Sequence, residues 1–455
     1  MGVNSKMTAI ADAIRAKTWG TKPLTLDQMV DELNVPYIVN VSNDTVTADT
    51  LGKGVTAHDK DGNELIGVME GGQGGVETED ALITGTLTEY TNERVESIGD
   101  GAFYYYRNLT TVNFPACTSI GSYAFTHCHD LVTASFPACE TIGYSAFSYC
   151  TNLSSANFPL CTSIESYTFD TCRNLTSVSF PVCETIGHRA FFSCSSLTDI
   201  EFPVCTDIGM SAFAYCSTLR LASFPNCTTI RDSAFDRCFF LSSASFPVCI
   251  SIGNNVFAMN SKLTSVDFPA CTSIGNSAFN SCISLATVSF PVCTYINSYA
   301  FQRCRNLSEA SFPSCGTINA LAFAWCSNLT SVSFPECTFI GSSAFFSCSK
   351  LTNIEFPACL EVGVQAFRYC YSLKTASFPK CTSINGGAFQ TCYNLSKFIL
   401  AGSSMCVLNN STAFSGAGVA TTGYIYVPQS LIASYQAADN WSYYSSRFSA
   451  IENMT

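Results

Sequence analysis

The stretch Leu175-Thr-Ser-Val-Ser-Phe-Pro-Val-Cys-Glu-Thr-Ile-Gly-His-Arg-Ala-Phe-Phe-Ser-Cys-Ser-Ser196 is one copy of a 22-residue unit, and Leu197 opens the next copy. The unit recurs without insertion or deletion, so its leucine returns every 22 residues from Leu109 to Leu395. A unit this short cannot bury its own apolar side chains, so successive copies must stack and share a core. The repeat therefore predicts a solenoid with one structural turn per unit.

The first half of the unit has the alternation of a short strand. Val178 and Phe180 are predicted to point inward, with Ser177 and Ser179 pointing outward. Pro181 ends the strand because proline cannot donate to a hydrogen-bond ladder.

The second half predicts two further elements. Cys183-x-x-Ile186-Gly187 is interpreted as a second inward-facing segment, with glycine at a corner where φ is expected to be positive. The apolar spacing from Ala190 to Leu197 predicts a helical or 3₁₀ turn that leads to the next strand.

This repeat, L-x-x-V-x-F-P-x-C-x-x-I-G-x-x-A-F-x-x-C-x-x, resembles the BspA-like (Treponema-type) leucine-rich repeat over roughly residues 95–400. The resemblance implies a right-handed coil of about fourteen rungs with a parallel β-sheet, found in bacterial surface and phage proteins that bind other molecules. The family motif contains no catalytic residues. Tyr106 and Asn260 replace the second Cys of the motif, and Leu400 breaks the Phe-Pro column, which predicts the end of the array there.

The charge balance argues against nucleic acid as a partner. The net charge of −12 comes mainly from the N-terminal part, with 16 acidic and 7 basic residues through Glu96 and 18 and 15 afterwards. A phosphate backbone requires a basic stripe, and the sequence has none. No run approaches the roughly 18 apolar residues of a membrane span, and no export signal is recognised, so membrane insertion is not expected.

Cysteine usage indicates where the chain folds. Of 26 cysteines, thirteen follow Phe-Pro-x, twelve occupy the Ala-Phe-x-x-Cys position and Cys406 is left over. The two columns are half a unit apart, which disfavours pairing within a turn, and stacked identical turns orient neighbouring Cβ atoms poorly for disulfides. We therefore favour two ladders of buried thiols formed in a reducing cytosol over a disulfide scaffold.

The N-terminal region has a different pattern. Residues 1–36 predict two short helices, residues 37–69 predict strands around the hairpin signal Asp59-Lys-Asp-Gly62, and the glycines of residues 71–76 predict a linker. Residues 1–70 are predicted to form an α+β module that contains Lys6-Met-Thr-Ala-Ile-Ala-Asp-Ala-Ile-Arg-Ala-Lys17, Leu24-Thr-Leu-Asp-Gln28, Thr45-Val-Thr-Ala-Asp49 and Gly54-Val-Thr-Ala57. In these stretches it resembles the N-terminal module of tail and appendage proteins of phages and prophages of Gram-positive bacteria. That resemblance implies docking to phage tail or baseplate proteins.

The domain prediction is completed by caps at the ends of the array. The solenoid with an N-terminal cap is assigned to residues 77–400, and a C-terminal cap to residues 401–455. In the C-terminal cap, residues 424–428 predict a strand and residues 431–438 a helix. The aromatic residues Trp441, Tyr443, Tyr444 and Phe448 are predicted to plug the open end.

The residues give no support for catalysis, cofactor binding or a metal site. In His127-Cys128-His129, the cysteine belongs to a buried column, so a nucleophile or metal site is not favoured. Asp199 and Glu201 lie on one strand face and are interpreted as solvated surface.

One position varies while its neighbours repeat, and it supplies the candidate binding residues. Two residues after the Phe of Ala-Phe, successive units carry Tyr105, His127, Tyr149, Thr171, Ser193, Tyr215, Arg237, Met259, Ser281, Arg303, Trp325, Ser347, Tyr369 and Thr391. Such a mixture indicates a surface, and aromatic residues and Arg are frequent contact anchors. The candidates are Tyr149, Tyr215, Arg237, Arg303, Trp325 and Tyr369. The alternative is that these side chains only cover loop backbone.

The leading hypothesis is a non-enzymatic, phage tail-associated adhesin. It would fold in the host cytoplasm and reside on the virion. There the solenoid would bind a host-surface glycan or protein, and the protein could form homo-oligomers on the particle. A structural spacer or decoration of the tail and a cell-surface adhesin of a bacterium are the alternatives.

Overall fold

The computed structural model describes residues 55–58, 64–67 and 88–454. The chain divides into two compact units, Met1–Leu197 and Thr198–Thr455. Each unit forms parallel β-solenoid turns from the 22-residue repeat, with two short strands in each turn. The predicted fold class is confirmed. The predicted helices of residues 1–36 and the linker 71–76 lie outside the described residues.

The first unit contains five turns in its described part. Their three-residue strands are Glu89–Thr91, Thr111–Asn113, Thr133–Ser135, Ser155–Asn157 and Ser177–Ser179. Their two-residue strands are Ser97–Ile98, Ser119–Ile120, Thr141–Ile142, Ser163–Ile164 and Thr185–Ile186. Pairing is parallel with a 22-residue offset, as in Val112↔Ala134. Equivalent positions of the sequence therefore lie above one another.

The second unit repeats this pattern ten times. Its three-residue strands are Asp199–Glu201, Leu221–Ser223, Ser243–Ser245, Ser265–Asp267, Thr287–Ser289, Glu309–Ser311, Ser331–Ser333, Asn353–Glu355, Thr375–Ser377 and Lys397–Ile399. Its two-residue strands are Asp207–Ile208, Thr229–Ile230, Ser251–Ile252, Ser273–Ile274, Tyr295–Ile296, Thr317–Ile318, Phe339–Ile340, Glu361–Val362, Ser383–Ile384 and Val407–Leu408.

The core consists of columns of identical side chains. Phe323 and Phe345 stack at 5.2 Å with an interplanar angle of 3°, and Phe334 meets Phe345 edge-on at 6.1 Å. Burying one such ring stabilises the fold by about 1.5–3 kcal/mol, to which favourable ring pairs add about 0.5–1.5 kcal/mol. The apolar columns of the repeat are therefore the main source of stability.

The segment predicted to form a helical or 3₁₀ turn consists of tight turns. Cys172 N–H donates to the Phe169 carbonyl three residues earlier at 3.2 Å, but Phe169 N–H donates to Ala190 of the next turn at 2.7 Å. Because alternate N–H groups bond to the neighbouring turn, a continuous helical ladder cannot form. Of the predicted helical or 3₁₀ turn, the i→i−3 bond of a 3₁₀ turn is present and a continuous helix is not.

The glycine after Ile is required for a different reason from the one predicted. Gly187 has no positive φ; instead, a Cβ added there would lie 2.5 Å from Ser166 N and 2.6 Å from the Glu165 carbonyl carbon. At Gly187, close approach of the preceding turn therefore leaves no room for a side chain. Positive φ falls on non-glycine residues such as Arg189 (53°) and Ser193 (60°).

The cysteines are free and buried, and their thiols bond to the backbone. In the first column, Cys183 Sγ donates to the Thr185 carbonyl at 3.2 Å; in the second, Cys194 Sγ donates to Phe169 of the preceding turn at 3.2 Å. Asn260 replaces the second thiol and keeps this bond, with Nδ2 donating to Phe235 at 3.0 Å. Each column thus satisfies carbonyl groups while filling a small apolar site.

Strands Val55–His58 and Glu64–Gly67 pair antiparallel, and the turn predicted between them lies outside the described residues. At the C-terminal end, Tyr424–Val427 pairs with Lys397–Ile399 and then with Phe448–Ala450, so the strand ladder continues beyond Leu400. The α-helix is Ile432–Ala437, and the 3₁₀ segments are Ser411–Phe414, Gly418–Ala420, Gln429–Leu431, Trp441–Arg447 and Ile451–Asn453.

The aromatic plug of the C-terminal cap forms in part as predicted. Trp441 and Tyr444 are buried against Phe414, and Phe448 is half-buried against Trp441. The Trp441 indole also donates to the Cys406 carbonyl at 2.8 Å. Tyr443 is 77% exposed and was wrongly assigned to the plug. In the Trp441–Arg447 segment its side chain points away from the core, whereas Trp441 and Tyr444 point into it.

Candidate functional site

The variable column lies at one corner of the solenoid turns and has an unusual backbone. All fourteen residues, from Tyr105 to Thr391, have φ between 58° and 66°, in the left-handed region. None is glycine or asparagine, the types that adopt this region at least cost. Sequence reasoning missed this conformation because the usual residue signal is absent.

Hydrogen bonds between turns hold this backbone. Tyr149 N–H donates to the Asp170 carbonyl at 2.8 Å, and Trp325 N–H donates to the Phe346 carbonyl at 2.7 Å. A left-handed residue other than glycine costs roughly 1–2 kcal/mol, which a ladder bond of about 1 kcal/mol and the core beneath it offset. The corner is therefore a rigid support on which the side chain can change without altering the backbone.

Most of the column is exposed or half-buried, as predicted for a surface. Tyr149 is 40% exposed and Trp325 36%, while Arg237 and Tyr369 are half-buried. Thr171 is an exception at 6%: its hydroxyl donates to Asp170 at 2.7 Å. That carboxylate also pairs with Arg189 at 3.2 Å, so the surface prediction was wrong at this one turn.

The six candidate residues do not form one site. In the first unit, Tyr149 belongs to a ring stack with His127 at 4.7 Å, and His127 stacks on Tyr105 at 4.3 Å. Burial, with the neighbouring charges of His129 and Arg107, lowers the pKa of His127 to about 4. This stack is therefore neutral at physiological pH.

A second cluster joins two candidates on adjacent turns. The Arg237 guanidinium donates to the Tyr215 hydroxyl at 2.6 Å, and Asp236 lies 3.7 Å from Arg237 Nε. Phe239 and Phe240 beside them are exposed. Here the arginine is already paired, which reduces its availability to a ligand.

The third cluster is the most extensive, and we call it the aromatic corner. It comprises Trp325, Phe346, Tyr369, Tyr371 and Tyr393, with Arg303 and Arg368. Neighbouring ring centroids are 5.2–5.9 Å apart along the whole series. The arginine Cζ atoms lie 5.5 Å from Trp325 and 4.6 Å from Tyr369, within cation–π range.

Sequence reasoning identified three members of the aromatic corner and missed four. Phe346 and Arg368 precede the variable column, and Tyr371 and Tyr393 follow the second cysteine. The signal was present, since the position after that cysteine also varies from turn to turn. Only the fold shows that these positions share one surface with the column.

The other motifs do not assemble into a reactive centre. Cys128 is buried and donates to the Phe103 carbonyl at 2.9 Å, and burial raises its pKa far above the ordinary value. Asp199 and Glu201 are both exposed. Within residues 88–454 and the two N-terminal strands, no group of three or more His, Cys, Asp or Glu side chains could hold a metal ion. No helix in this described part is long and apolar enough to cross a membrane.

Stacked parallel strands, continuous phenylalanine columns and a variable corner define the class of protein as a leucine-rich-repeat solenoid. A scan of protein families matches the BspA type leucine rich repeat region, in six copies, over residues 87–197, 184–308 and 294–418. These ranges cover well over half of the chain, so the protein belongs to this family. Neither the fold nor the family indicates a catalytic function.

The chain is similar to solved structures at low sequence identity. A leucine-rich repeat protein from Bacteroides ovatus is 23% identical with a TM-score of 0.50, covering 70% of this chain and 91% of its own. A leucine rich cell surface protein from Faecalibacterium prausnitzii is 22% identical (TM-score 0.37; 64% and 90% covered). The pneumococcal vaccine antigen PcpA is 19% identical (TM-score 0.40; 70% and 84% covered). No curated protein matches the chain.

Proposed function

We propose that this protein is a non-enzymatic adhesin that binds a surface ligand through the corner of its solenoid. The observation that carries the proposal is a variable side chain on a constant backbone. At the corner, residues range from Ser and Thr to Tyr, Trp, Met and Arg, while φ stays between 58° and 66°. Rigid scaffolds that present variable aromatic and arginine side chains are suited to recognition.

The strand face offers a poorer binding surface. Its outward positions are mostly small and polar, such as Ser177, Ser179, Ser331 and Ser333. Small hydroxyl side chains contribute little contact area to an interface. The large exposed side chains of the corner therefore favour it as the contact surface.

The finer proposal concerns attachment. The resemblance of residues 1–70 to phage tail and appendage modules supports docking of this region to a tail or baseplate, with the solenoid facing a host-surface glycan or protein. Immunogold labelling of purified particles, with the deletion of residues 1–70 as the control, tests this. We expect particles to be labelled when the chain is intact and not when residues 1–70 are deleted. Labelling of bacterial cells in place of particles would favour a cell-surface adhesin, which family membership also supports.

Binding by the corner is tested with the full-length chain and a fourfold variant, Tyr149→Ser, Tyr215→Ser, Trp325→Ser and Tyr369→Ser. We expect binding to Gram-positive cells or isolated envelopes to fall at least about tenfold, equivalent to about 1.4 kcal/mol. The substitutions remove exposed or half-buried contact groups and leave the core columns unchanged.

A matched control alters four exposed residues of the strand face: Glu201→Ser, Leu221→Ser, Glu309→Ser and Glu355→Ser. Loss of binding in this variant alone would move the ligand to the sheet. A folded wild-type chain that binds no cell or envelope would instead favour a structural spacer.

A further inference from the structure

The aromatic corner differs from the other two ring clusters in charge. Its five corner segments together contain four basic residues and no Asp or Glu. The segments are residues 302–306, 324–328, 346–350, 368–372 and 390–394. The bases are Arg303, Arg305, Lys350 and Arg368. The whole chain carries a net charge of −12, and the corner segment 236–240 of the same unit contains Asp236. The aromatic corner is therefore a local positive region of an acidic protein.

Its rings are accessible at several points. Tyr393 is 62% exposed, Trp325 and Tyr371 are also exposed, and Phe346 and Tyr369 are half-buried between them. Arg303 and Arg305 are exposed, and no ion pair within the described residues 88–454 involves either one. Surfaces that recognise proteins have a similar composition, in which Tyr, Trp and Arg are interspersed with Ser and Asn.

The ring orientations distinguish a protein from a glycan. Trp325 and Phe346 are inclined at 60°, Phe346 and Tyr369 at 87°, and Tyr369 and Tyr371 at 47°, whereas only Tyr371 and Tyr393 are nearly parallel, at 10°. A flat glycan chain needs several rings in a common plane, and the three inclined pairs from Trp325 to Tyr371 offer it none. An irregular apolar side chain can instead contact one ring face and a neighbouring ring edge together. The geometry favours a protein as the occupant.

We propose that the aromatic corner binds an acidic protein surface, in which an apolar side chain packs among the rings while flanking carboxylates pair with the arginines. This inference rests on the proposed adhesin function and specifies its partner. Arg303 and Arg305 present guanidinium groups to solvent, and guanidinium pairs with carboxylate through two parallel hydrogen bonds. The Arg368 Nη2 donates to the Tyr369 hydroxyl at 2.8 Å, which orients that arginine beside the rings.

The test uses defined polymers as probes. A random copolymer of glutamate and tyrosine supplies carboxylates and aromatic groups on a polypeptide, polygalacturonate supplies carboxylates on a glycan, and a lysine–tyrosine copolymer reverses the charge. Binding to the immobilised full-length chain is measured by interferometry at about 50 mM and about 300 mM salt, where screening differs. We expect the glutamate–tyrosine copolymer to bind at least about tenfold more tightly than either other polymer, with an affinity that falls as salt rises.

Two variants locate the binding. Arg303→Ser with Arg305→Ser and Arg368→Ser should weaken copolymer binding at least about tenfold, and so should Trp325→Ser with Tyr371→Ser and Tyr393→Ser. The matched control, Arg173→Ser with Arg220→Ser and Lys262→Ser, removes three exposed basic residues elsewhere and should bind like the wild type. Circular dichroism verifies that each variant is folded.

Three results would overturn the inference: equal binding of polygalacturonate, no binding of the copolymer to the wild type, or equal weakening in the control variant. Should a corner variant fail to fold, the salt dependence and polymer preference of the wild type still decide. Binding of the wild type to cells or envelopes without binding to the copolymer would reject the acidic-protein partner and leave the adhesin function intact.

Discussion

The Arg237 guanidinium lies on Tyr215 of the preceding turn, with Nη1 2.6 Å from the phenol oxygen and Cζ 5.0 Å from the ring centroid. The two residues are 22 positions apart and occupy the same left-handed corner of consecutive turns. Stacking of turns thus converts a sequence column into a surface of contacting side chains. The core beneath this surface supplies the stability of the fold, and the surface side chains contribute little to it.

The first prediction separates core from surface. Leu241→Ala should destabilise the fold by about 2–5 kcal/mol, because its fully buried side chain would leave a cavity. Tyr215→Ala should cost less than about 1 kcal/mol, because its ring is exposed and its Arg237 contact is at the surface. Urea denaturation measures both. Equal, large losses would show that the variable column is packing.

The second prediction concerns the left-handed corner. Ser347 has φ 63°, so Ser347→Gly should raise the stability by up to about 1 kcal/mol through relief of left-handed strain, less the entropy that glycine loses on folding. The control Ser333→Gly, in the Ser331–Ser333 strand, should lower it by about 0.5–1 kcal/mol. Thermal denaturation compares the two. A loss of the same size at both positions would mean that the corner stores no backbone strain.

The third prediction concerns the thiols. Denatured protein without reductant should titrate for most of its 26 cysteines, since all are free. Native protein at about pH 8 should react slowly, because burial raises the pKa of Cys117 and Cys161 to about 11 and keeps them protonated. Alkylation followed by mass spectrometry counts them. Fewer than half free after denaturation would refute the two-ladder interpretation.

Two thiols are in direct contact at the C-terminal end. Cys406 Sγ lies 3.7 Å from Cys381 Sγ, and this contact lowers the pKa of Cys381. With excess oxidised glutathione, we expect Cys381–Cys406 to be the first protein disulfide, formed by exchange with release of two reduced glutathione molecules. Peptide mapping identifies the pair, and Cys406→Ser is the control. A first crosslink within either column would contradict this expectation.

The fifth prediction is a pH dependence. The folded-state pKa of His127 is about 4, below the ordinary 6.5 of an unfolded chain, because burial and the charges of His129 and Arg107 disfavour its protonation. Between these values the unfolded state binds more protons, so this contribution to stability is complete above about pH 6.5 and is lost as the pH falls towards 4. NMR titration gives the pKa directly, and His127→Gln should flatten this part of the stability profile. A measured value near 6.5 would indicate that the Tyr105–His127–Tyr149 stack is open.

The sequence by itself determined the solenoid, its period and which columns lie inside. A strict 22-residue repeat places each side chain above the equivalent side chain of the previous unit. Columns that keep the same apolar residue, such as those of Leu241 and Phe323, are therefore core, and the column that varies, with Tyr215 and Trp325, is surface. Local chemistry also predicted the strand ends, because Pro181 has no N–H to donate to the hydrogen-bond ladder of a sheet.

Only the tertiary structure decided the backbone of the corner and the grouping of its side chains. Tyr149 is held in a left-handed conformation by a carbonyl 21 residues later, and no local propensity encodes so distant a bond. Likewise Gly187 is required by the turn packed against it, not by its own φ. Tyr371 and Tyr393 join Trp325 in one surface because stacking aligns positions that the chain separates by a whole turn or more.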